Sequence, residues 1–178
     1  AGVELILACG DLKQSYLDFF ASMTSVPVLY VMGNHDDGWD PESPCGCICI
    51  EDDIFVYQGI RILGLGGSMR YLPEARNQYS EHEMRRRIRR LWWKLRKNGG
   101  FDILVSHAPA AGVNDLEDLP HRGFACFCEL LERYKPKLFV HGHVHANYGT
   151  GFKRTDQVGS TMVVNAYDYY ILDLPIED

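Results

Sequence analysis

The chain has 178 residues, of which 46% are hydrophobic and 24% charged, a composition that is typical of a globular protein and excludes a disordered chain. Its 18 basic and 24 acidic residues give a formal net charge of −6, so the overall field of the molecule repels nucleic acid. This length is sufficient for one hydrophobic core, and we expect a single domain over residues 1–178.

The sequence contains no segment that would direct the chain to a membrane or out of the cell. No apolar run approaches the ~18 residues that cross a bilayer, and the N-terminus lacks the basic, apolar and small-residue order of a signal peptide. We therefore expect a cytoplasmic protein with no membrane partner. Its six cysteines are then expected to be reduced thiols, because disulfides are rare in that compartment.

The chain begins with a β-α-β pattern. Residues 3–8 form an apolar run that predicts a buried strand, which ends at Cys9 and Gly10. Residues 12–23 carry apolar side chains at helical spacing, and residues 26–32 form a second apolar run. Two strands joined by a helix are expected to lie parallel in one sheet.

Short strands follow a loop at residues 37–45, which is expected to shape access to a neighbouring site. Residues 48–57 predict one or two strands broken at Asp52 and Asp53, and residues 60–65 predict another. Because no helix separates these strands, we expect an antiparallel part of a sheet.

Residues 81–97 are the longest helix candidate, and Asn98 and Gly99 end it. Its apolar residues form one stripe, and the remaining face carries eight cations: Arg85, Arg86, Arg87, Arg89, Arg90, Lys94, Arg96 and Lys97. A solvated face that balances the acidic remainder is the favoured interpretation. The alternative is a surface that binds nucleic acid or a phosphorylated substrate.

The second half of the chain continues the alternation of strands and helices. Residues 101–106 predict a strand, residues 124–134 a helix, and residues 137–140 a further strand. The apolar runs at 162–164 and 167–174 predict strands of a second sheet.

Polar side chains follow four of the predicted strands at the point where each strand ends: Asp11, then Asn34 and His35, then His107, then His143 and His145. A carboxylate, an amide oxygen and imidazoles are ligands that suit zinc, manganese, iron and nickel ions. The single residue between His143 and His145 would place their side chains on opposite faces of an extended strand. Both can therefore bind metal only if the chain turns, and Gly142 allows that turn.

These residues, in this order, resemble the signature of the calcineurin-like metallophosphoesterases: Gly10-Asp11, Gly33-Asn34-His35-Asp36, His107, and Gly142-His143-Val144-His145. The resemblance implies an α/β sandwich of two mixed β-sheets flanked by helices. It implies that Asp11 bridges two metal ions and that His145 contributes to one of them. The other metal site would be completed by Asn34, His107 and His143. His35 would act beside the attacked phosphate, with Asp36 orienting it.

The resemblance further implies an enzyme that hydrolyses a phosphomonoester or phosphodiester through a metal-activated water, with Mn, Fe, Zn or Ni as cofactor. The Asp-x-His strand that opens this family's signature has no counterpart in the sequence. We therefore expect an N-terminally truncated fold that binds one metal ion in place of two, unless ligands from elsewhere in the chain replace those of the missing strand. A missing central strand would also expose a sheet edge that favours a homo-oligomer. The alternative is a noncatalytic metal-binding scaffold or interaction module of the same fold.

Overall fold

The computed structural model describes residues 2–39, 44–148 and 152–174. Its helices are α1 (Gln14–Met23), α2 (Glu81–Arg90), α3 (Trp92–Asn98) and α4 (Ala125–Tyr134). Its strands are β1 (Ile6–Ala8), β2 (Val28–Tyr30), β3 (Ile48–Cys49), β4 (Asp53–Tyr57), β5 (Ile60–Leu65), β6 (Ser68–Met69), β7 (Gln78–Tyr79), β8 (Ile103–Ser106), β9 (Leu138–His141), β10 (Thr155–Val158) and β11 (Thr161–Asn165). None of the described helices has the length and apolar character needed to span a bilayer.

The two larger sheets confirm the predicted mixed α/β fold. The first has the order β1-β2-β3 with parallel pairing throughout, so the β-α-β prediction is confirmed. The second has the order β10-β11-β9-β8-β5-β4. Its four inner strands are parallel, whereas β4 and β10 pair antiparallel at its two edges. The strands β6 and β7 form a separate two-stranded ladder.

Alternate residues of the central strands enter two different cores, which is the expected result when both faces of a sheet are covered. Leu63, Leu104 and Phe139 pack against helices α2, α3 and α4. Ile62, Ile103 and Val140 face the opposite way and pack against Leu29 and Val31 of the first sheet. A third cluster joins Leu17 of α1 to the outer face of that first sheet. The two sheets therefore lie face to face between outer helices.

The predicted single helix over residues 81–97 is two helices, α2 and α3, separated at Leu91. Helix α2 begins with a capping box, in which the Ser80 side chain accepts from the Glu83 backbone N–H and the Glu83 side chain accepts from the Ser80 backbone N–H. At Leu91 the backbone N–H donates to the carbonyl of Ile88, three residues back, which tightens the turn. The tighter turn keeps Leu91 and Leu95 in the core and leaves Trp92 and Trp93 exposed.

Arg87 is the exception to the prediction that the cationic face is solvated. Its side chain is buried, and its Nη2 donates to Glu51 Oε2 at 2.5 Å while its Nε donates to Asp52. Glu51 also accepts hydrogen bonds from the backbone N–H groups of Met32 and Gly66. Burial raises the pKa of Glu51, and Arg87 opposes that rise. This ion pair joins the ends of β2 and β5 to helix α2.

One other prediction about secondary structure is corrected. Residues 167–174 form no strand, and Tyr169 and Ile171 expose about three quarters of their surface (73% and 74%) because no neighbouring strand covers them. None of the six cysteines is in a disulfide, as expected for reduced thiols, although Cys45 and Cys49 are exposed. Of the predicted loop at 37–45, residues 40–43 lie outside the described part of the chain.

Candidate metal centre

Asp11 and Gly33 lie in direct contact where β1 and β2 end. Gly10 and Asp11 both adopt positive φ, of 83° and 56°, so the chain turns sharply after β1. A Cβ atom on Gly33 would lie 2.0 Å from Asp11 Oδ1 and 2.4 Å from the Asp11 backbone nitrogen. Glycine is therefore required at position 33 by the close approach of the Asp11 carboxylate.

Asp36 holds these two loops together. Its Oδ2 accepts hydrogen bonds from the backbone N–H of Gly33 at 2.6 Å and of Asp11 at 2.9 Å. The side chain is only 3% exposed, and burial raises its pKa against the opposing effect of these two N–H groups. Asp36 Oδ2 therefore ties the two loops together through their backbone N–H groups, and the role of Asp36 in orienting His35 stays a prediction.

His35 has an exposed side chain, and its backbone N–H donates to Asp11 Oδ1 at 2.8 Å. Burial on its own would raise the pKa of Asp11. The hydrogen bond and positive field of His107, together with the contact to His35, instead lower that pKa to about 2. Asp11 is therefore a carboxylate throughout the neutral range.

His107 is fully buried and contacts oxygen atoms through both ring nitrogens. Its Nδ1 is 2.7 Å from the Cys9 carbonyl oxygen, and since a carbonyl only accepts, Nδ1 carries a hydrogen. Its Nε2 lies 2.9 Å from Asn34 Oδ1 and 3.3 Å from Asp11 Oδ2. The Asn34 amide nitrogen donates to the Tyr71 hydroxyl at 3.2 Å, which directs Oδ1 towards His107.

His143 supplies a fourth donor through an uncommon backbone conformation. Its φ is +67°, and the N–H of Val144 donates to the Gly142 carbonyl at 2.8 Å, which forms a γ-turn centred on His143. The predicted turn at Gly142 is therefore present. His143 Nε2 is 2.8 Å from the carbonyl oxygen of Pro120 and must donate to it, so Nδ1 has the lone pair. Burial, followed by repulsion from His107, lowers the pKa of His143 to about 3.

The structure brings together four of the five side chains that were predicted to bind metal. The candidate ligand atoms of Asp11, His107 and His143 all lie within 4.8 Å of one another, and Asn34 contacts His107 directly. The remaining candidate, His145, stacks on Tyr148 with ring centroids 4.7 Å apart and also contacts Tyr167 at 4.5 Å. It lies outside the group formed by the other four.

The donor set fits a cation. In a neutral ring, His107 Nε2 presents a lone pair to both Asn34 Oδ1 and Asp11 Oδ2, and such contacts are repulsive unless positive charge lies among these atoms. The positive charge is supplied by a proton on Nε2 or by a metal ion. Both histidines donate their second nitrogen to a backbone carbonyl, which is the usual support of a metal-binding imidazole.

Residues outside the predicted ligand set support this group. Tyr71 follows strand β6 and belongs to no motif, yet it orients Asn34. His121 packs between His143 and Tyr148, with ring centroids 5.0 Å and 4.7 Å away, and its Nδ1 lies 2.6 Å from Asp118 Oδ2. Residues 118–121 therefore hold His143 in place through the His121 ring and the Pro120 carbonyl. The Pro120 contact could not be predicted from the sequence, because every residue has a backbone carbonyl.

A sequence model described as calcineurin-like phosphoesterase matches residues 1–147. The chain belongs to the calcineurin-like phosphoesterase family. This membership confirms the resemblance drawn from the strand-end motifs, and it places the chain in a metal-dependent family of hydrolases. The Asp11, His107 and His143 group is consistent with that dependence on metal.

Two curated relatives of this calcineurin-like phosphoesterase cover most of the chain. The uncharacterized protein MJ1162 of Methanocaldococcus jannaschii is 25% identical over 185 residues, which span 96% of this chain and 81% of the relative. The UPF0046 protein C25E10.12 of Caenorhabditis elegans is 26% identical over 209 residues, which span 94% of this chain and 69% of the relative.

Solved structures show the same fold. TT1561 of Thermus thermophilus superimposes with a TM-score of 0.61 at 18% identity, over 94% of this chain and 78% of that one. Another crystal structure gives a TM-score of 0.60 at 20% identity over 86% of this chain. The phosphoesterase chain spans 63% of the length of that second structure, which is less than two thirds.

Proposed function

We propose that the protein hydrolyses a phosphomonoester or a phosphodiester in a metal-dependent reaction in which water attacks phosphorus. The observation that carries this proposal is the convergence of Asn34 Oδ1, Asp11 Oδ2 and His107 Nε2, with His143 beside them. Membership of a phosphoesterase family supports the reaction class, and this group of donors supports the proposed position of the reaction.

The metal would be held by Asp11, Asn34, His107 and His143. One carboxylate, one amide oxygen and two neutral imidazoles suit Mn, Fe, Zn or Ni. A divalent cation held there supplies a Lewis acid that binds a phosphoryl oxygen and lowers the pKa of a coordinated water. We propose one preassembled site, because among the described residues these side chains form the group whose donor atoms converge. The role of His145 at a further ion stays a proposal, since its ring is stacked between tyrosines.

The chain's own residues prepare the ligands before any metal or substrate binds. The Cys9 carbonyl fixes the tautomer of His107, and the Pro120 carbonyl fixes that of His143. Asp36 holds the Asp11 and Gly33 loops at a set separation through two backbone N–H groups. Such preorganisation lowers the entropic cost of assembling a charged site.

We propose that His35 contacts the phosphate of the substrate. Its backbone is tied to Asp11, whereas its side chain is exposed beside the site. An imidazole in that position can donate a hydrogen bond to a phosphoryl oxygen or to the leaving oxygen.

Hydrolysis of bis-p-nitrophenyl phosphate and p-nitrophenyl phosphate, with and without manganese, tests the proposal. The Asp11→Asn and His35→Ala variants would be compared with His82→Ala, which alters an exposed histidine on α2. Manganese-dependent turnover that is lost in Asp11→Asn, reduced in His35→Ala and kept in His82→Ala is the expected result. A protein that binds manganese but hydrolyses neither ester contradicts the proposal and favours the noncatalytic scaffold.

A further inference from the structure

Helices α2 and α3 expose a surface on which two tryptophans lie among exposed cations. Trp93 is 70% exposed and Trp92 45% exposed, with their ring centroids 4.4 Å apart. The cations lie on both sides of them along the chain, and we call the whole set the Trp93 surface: Arg86, Arg89, Arg90, Trp92, Trp93, Arg96 and Lys97. The three arginines before Leu91 belong to α2, the remaining residues belong to α3, and all of them are exposed.

The cations of this surface are available to a partner. Within the described part of the chain, no carboxylate lies within salt-bridge distance of Arg89, Arg90 or Lys97, whereas the neighbouring Lys94 pairs with Asp53. The Arg96 guanidinium lies 5.8 Å from the centre of the Trp92 ring. A local excess of positive charge on a chain of net charge −6 indicates a surface that is complementary to an anion.

The side chains around Trp93 leave space for a planar group. An open, shallow depression lies against Trp93 and is lined by Trp93, Lys94, Arg96 and Lys97. An exposed indole face between cationic side chains can stack on a base while the cations contact the adjoining phosphates.

The buried side of these helices argues against a lipid bilayer as the partner. Met84, Leu91 and Leu95, the apolar residues of α2 and α3, belong to the core beneath the six-stranded sheet. A helix that inserts into a membrane surface presents a continuous apolar face, and here that face is already used. Two tryptophans in a tract of cations fit a polyanion that carries stacking groups.

We propose that the Trp93 surface binds single-stranded nucleic acid, with Trp93 stacking on a base and the flanking arginines contacting phosphates. The surface and the candidate metal centre lie towards opposite ends of β8: α3 leads into the start of that strand, whereas His107 follows its end. The two proposals rest on different residues, so failure of one leaves the other standing.

Fluorescence anisotropy with a labelled single-stranded oligothymidylate, measured in EDTA so that no metal-dependent cleavage occurs, tests the proposal. Trp93→Ala is expected to weaken binding at least about fivefold, because each stacked base contributes ~1–3 kcal/mol. Arg89→Gln combined with Arg90→Gln is expected to reduce the slope of log K against log salt concentration by about 1.4. Circular dichroism would establish that each variant is folded.

Matched controls are Tyr16→Ala, an exposed aromatic residue on α1, and the double variant Lys13→Gln with Lys137→Gln, two exposed cations elsewhere. Both should bind the oligonucleotide as the unmodified protein does. The proposal is overturned if no binding occurs at low salt, or if the Trp93 and arginine variants bind as tightly as the controls. Binding to phosphatidylserine vesicles without binding to the oligonucleotide would also overturn it.

Discussion

Replacing Gly33 by alanine is the most direct test of how the candidate metal centre is built. Gly33 has no positive φ, so alanine adds no backbone strain, and the effect comes from the added Cβ alone. That atom would lie 2.0 Å from Asp11 Oδ1, where ordinary contacts begin at 3.4 Å. The Asp11 carboxylate must therefore move by about 1.4 Å, a displacement beyond the ~0.5 Å within which a functional group must be held.

We expect two measurable consequences of Gly33→Ala. Misplacing a ligand by more than ~1 Å should reduce ester hydrolysis about 100-fold and weaken manganese binding in calorimetry at least tenfold. Overpacking of this kind costs about 1–3 kcal/mol, which lowers the melting temperature by roughly 2–12 °C in a domain of this size.

Gly142→Ala is the graded control for this prediction. Its added Cβ would lie 3.3 Å from the Cys9 carbonyl oxygen and 3.4 Å from Cys9 Cβ, so a shift of a few tenths of an ångström accommodates it. We expect its metal affinity to remain within a few-fold of the original. If Gly33→Ala bound manganese and melted like Gly142→Ala, the close packing of Asp11 on Gly33 would not control the centre, and the reasoning would be refuted.

Three further predictions concern other parts of the molecule. Tyr71→Phe removes the hydroxyl that orients Asn34, so we expect manganese binding measured by calorimetry to weaken about 2- to 12-fold. The melting temperature should be unchanged. An unchanged manganese affinity would show that Asn34 is oriented by other contacts. The Arg61 hydrogen bond lowers the pKa of Asp102 in the folded protein. The Asp102 carboxylate therefore stabilises the fold above the ordinary Asp pKa of ~3.9. This contribution is lost as the pH falls through the lowered pKa of the folded state. Asp102→Asn should therefore lower the melting temperature at neutral pH, and the difference from the unmodified protein should shrink below pH ~4; a constant difference would contradict this. Elemental analysis after exposure to manganese and gel filtration should find nearer one tightly held ion than two per chain, and two would contradict a single preassembled site.

The sequence predicted the four side chains that meet, although it also included His145, because the carboxyl ends of neighbouring parallel strands lie at one edge of a sheet. Asp11, Asn34, His107 and His143 each follow an apolar run, and the structure places them together. These four residues can meet only if their strands are neighbours in the sheets. Burial and the handedness of β-α-β connections allow few strand orders, which makes that arrangement predictable.

The remaining features depend on contacts between residues that are distant along the chain. The turn at Leu91 follows from the packing of α3 on the core, which periodicity over residues 81–97 does not contain. Asp36 has backbone partners in two loops, and only one of them is near it in sequence. Arg87 has the same side chain as its neighbours and differs from them only because Glu51 lies opposite it.

The Glu51 carboxylate makes the candidate centre responsive to parts of the molecule that never approach a substrate. It binds the amides that immediately precede Gly33 and follow β5, and the same carboxylate is held by Arg87 of α2. Local opening of the Asn34 loop would have to break the contacts of Glu51 with Met32, Gly66 and Arg87. The amides of Met32 and Gly66 should therefore exchange with deuterium only when the whole domain unfolds. Sequence changes on the outer helix would then alter the geometry of the candidate metal centre while its four donor side chains stayed the same.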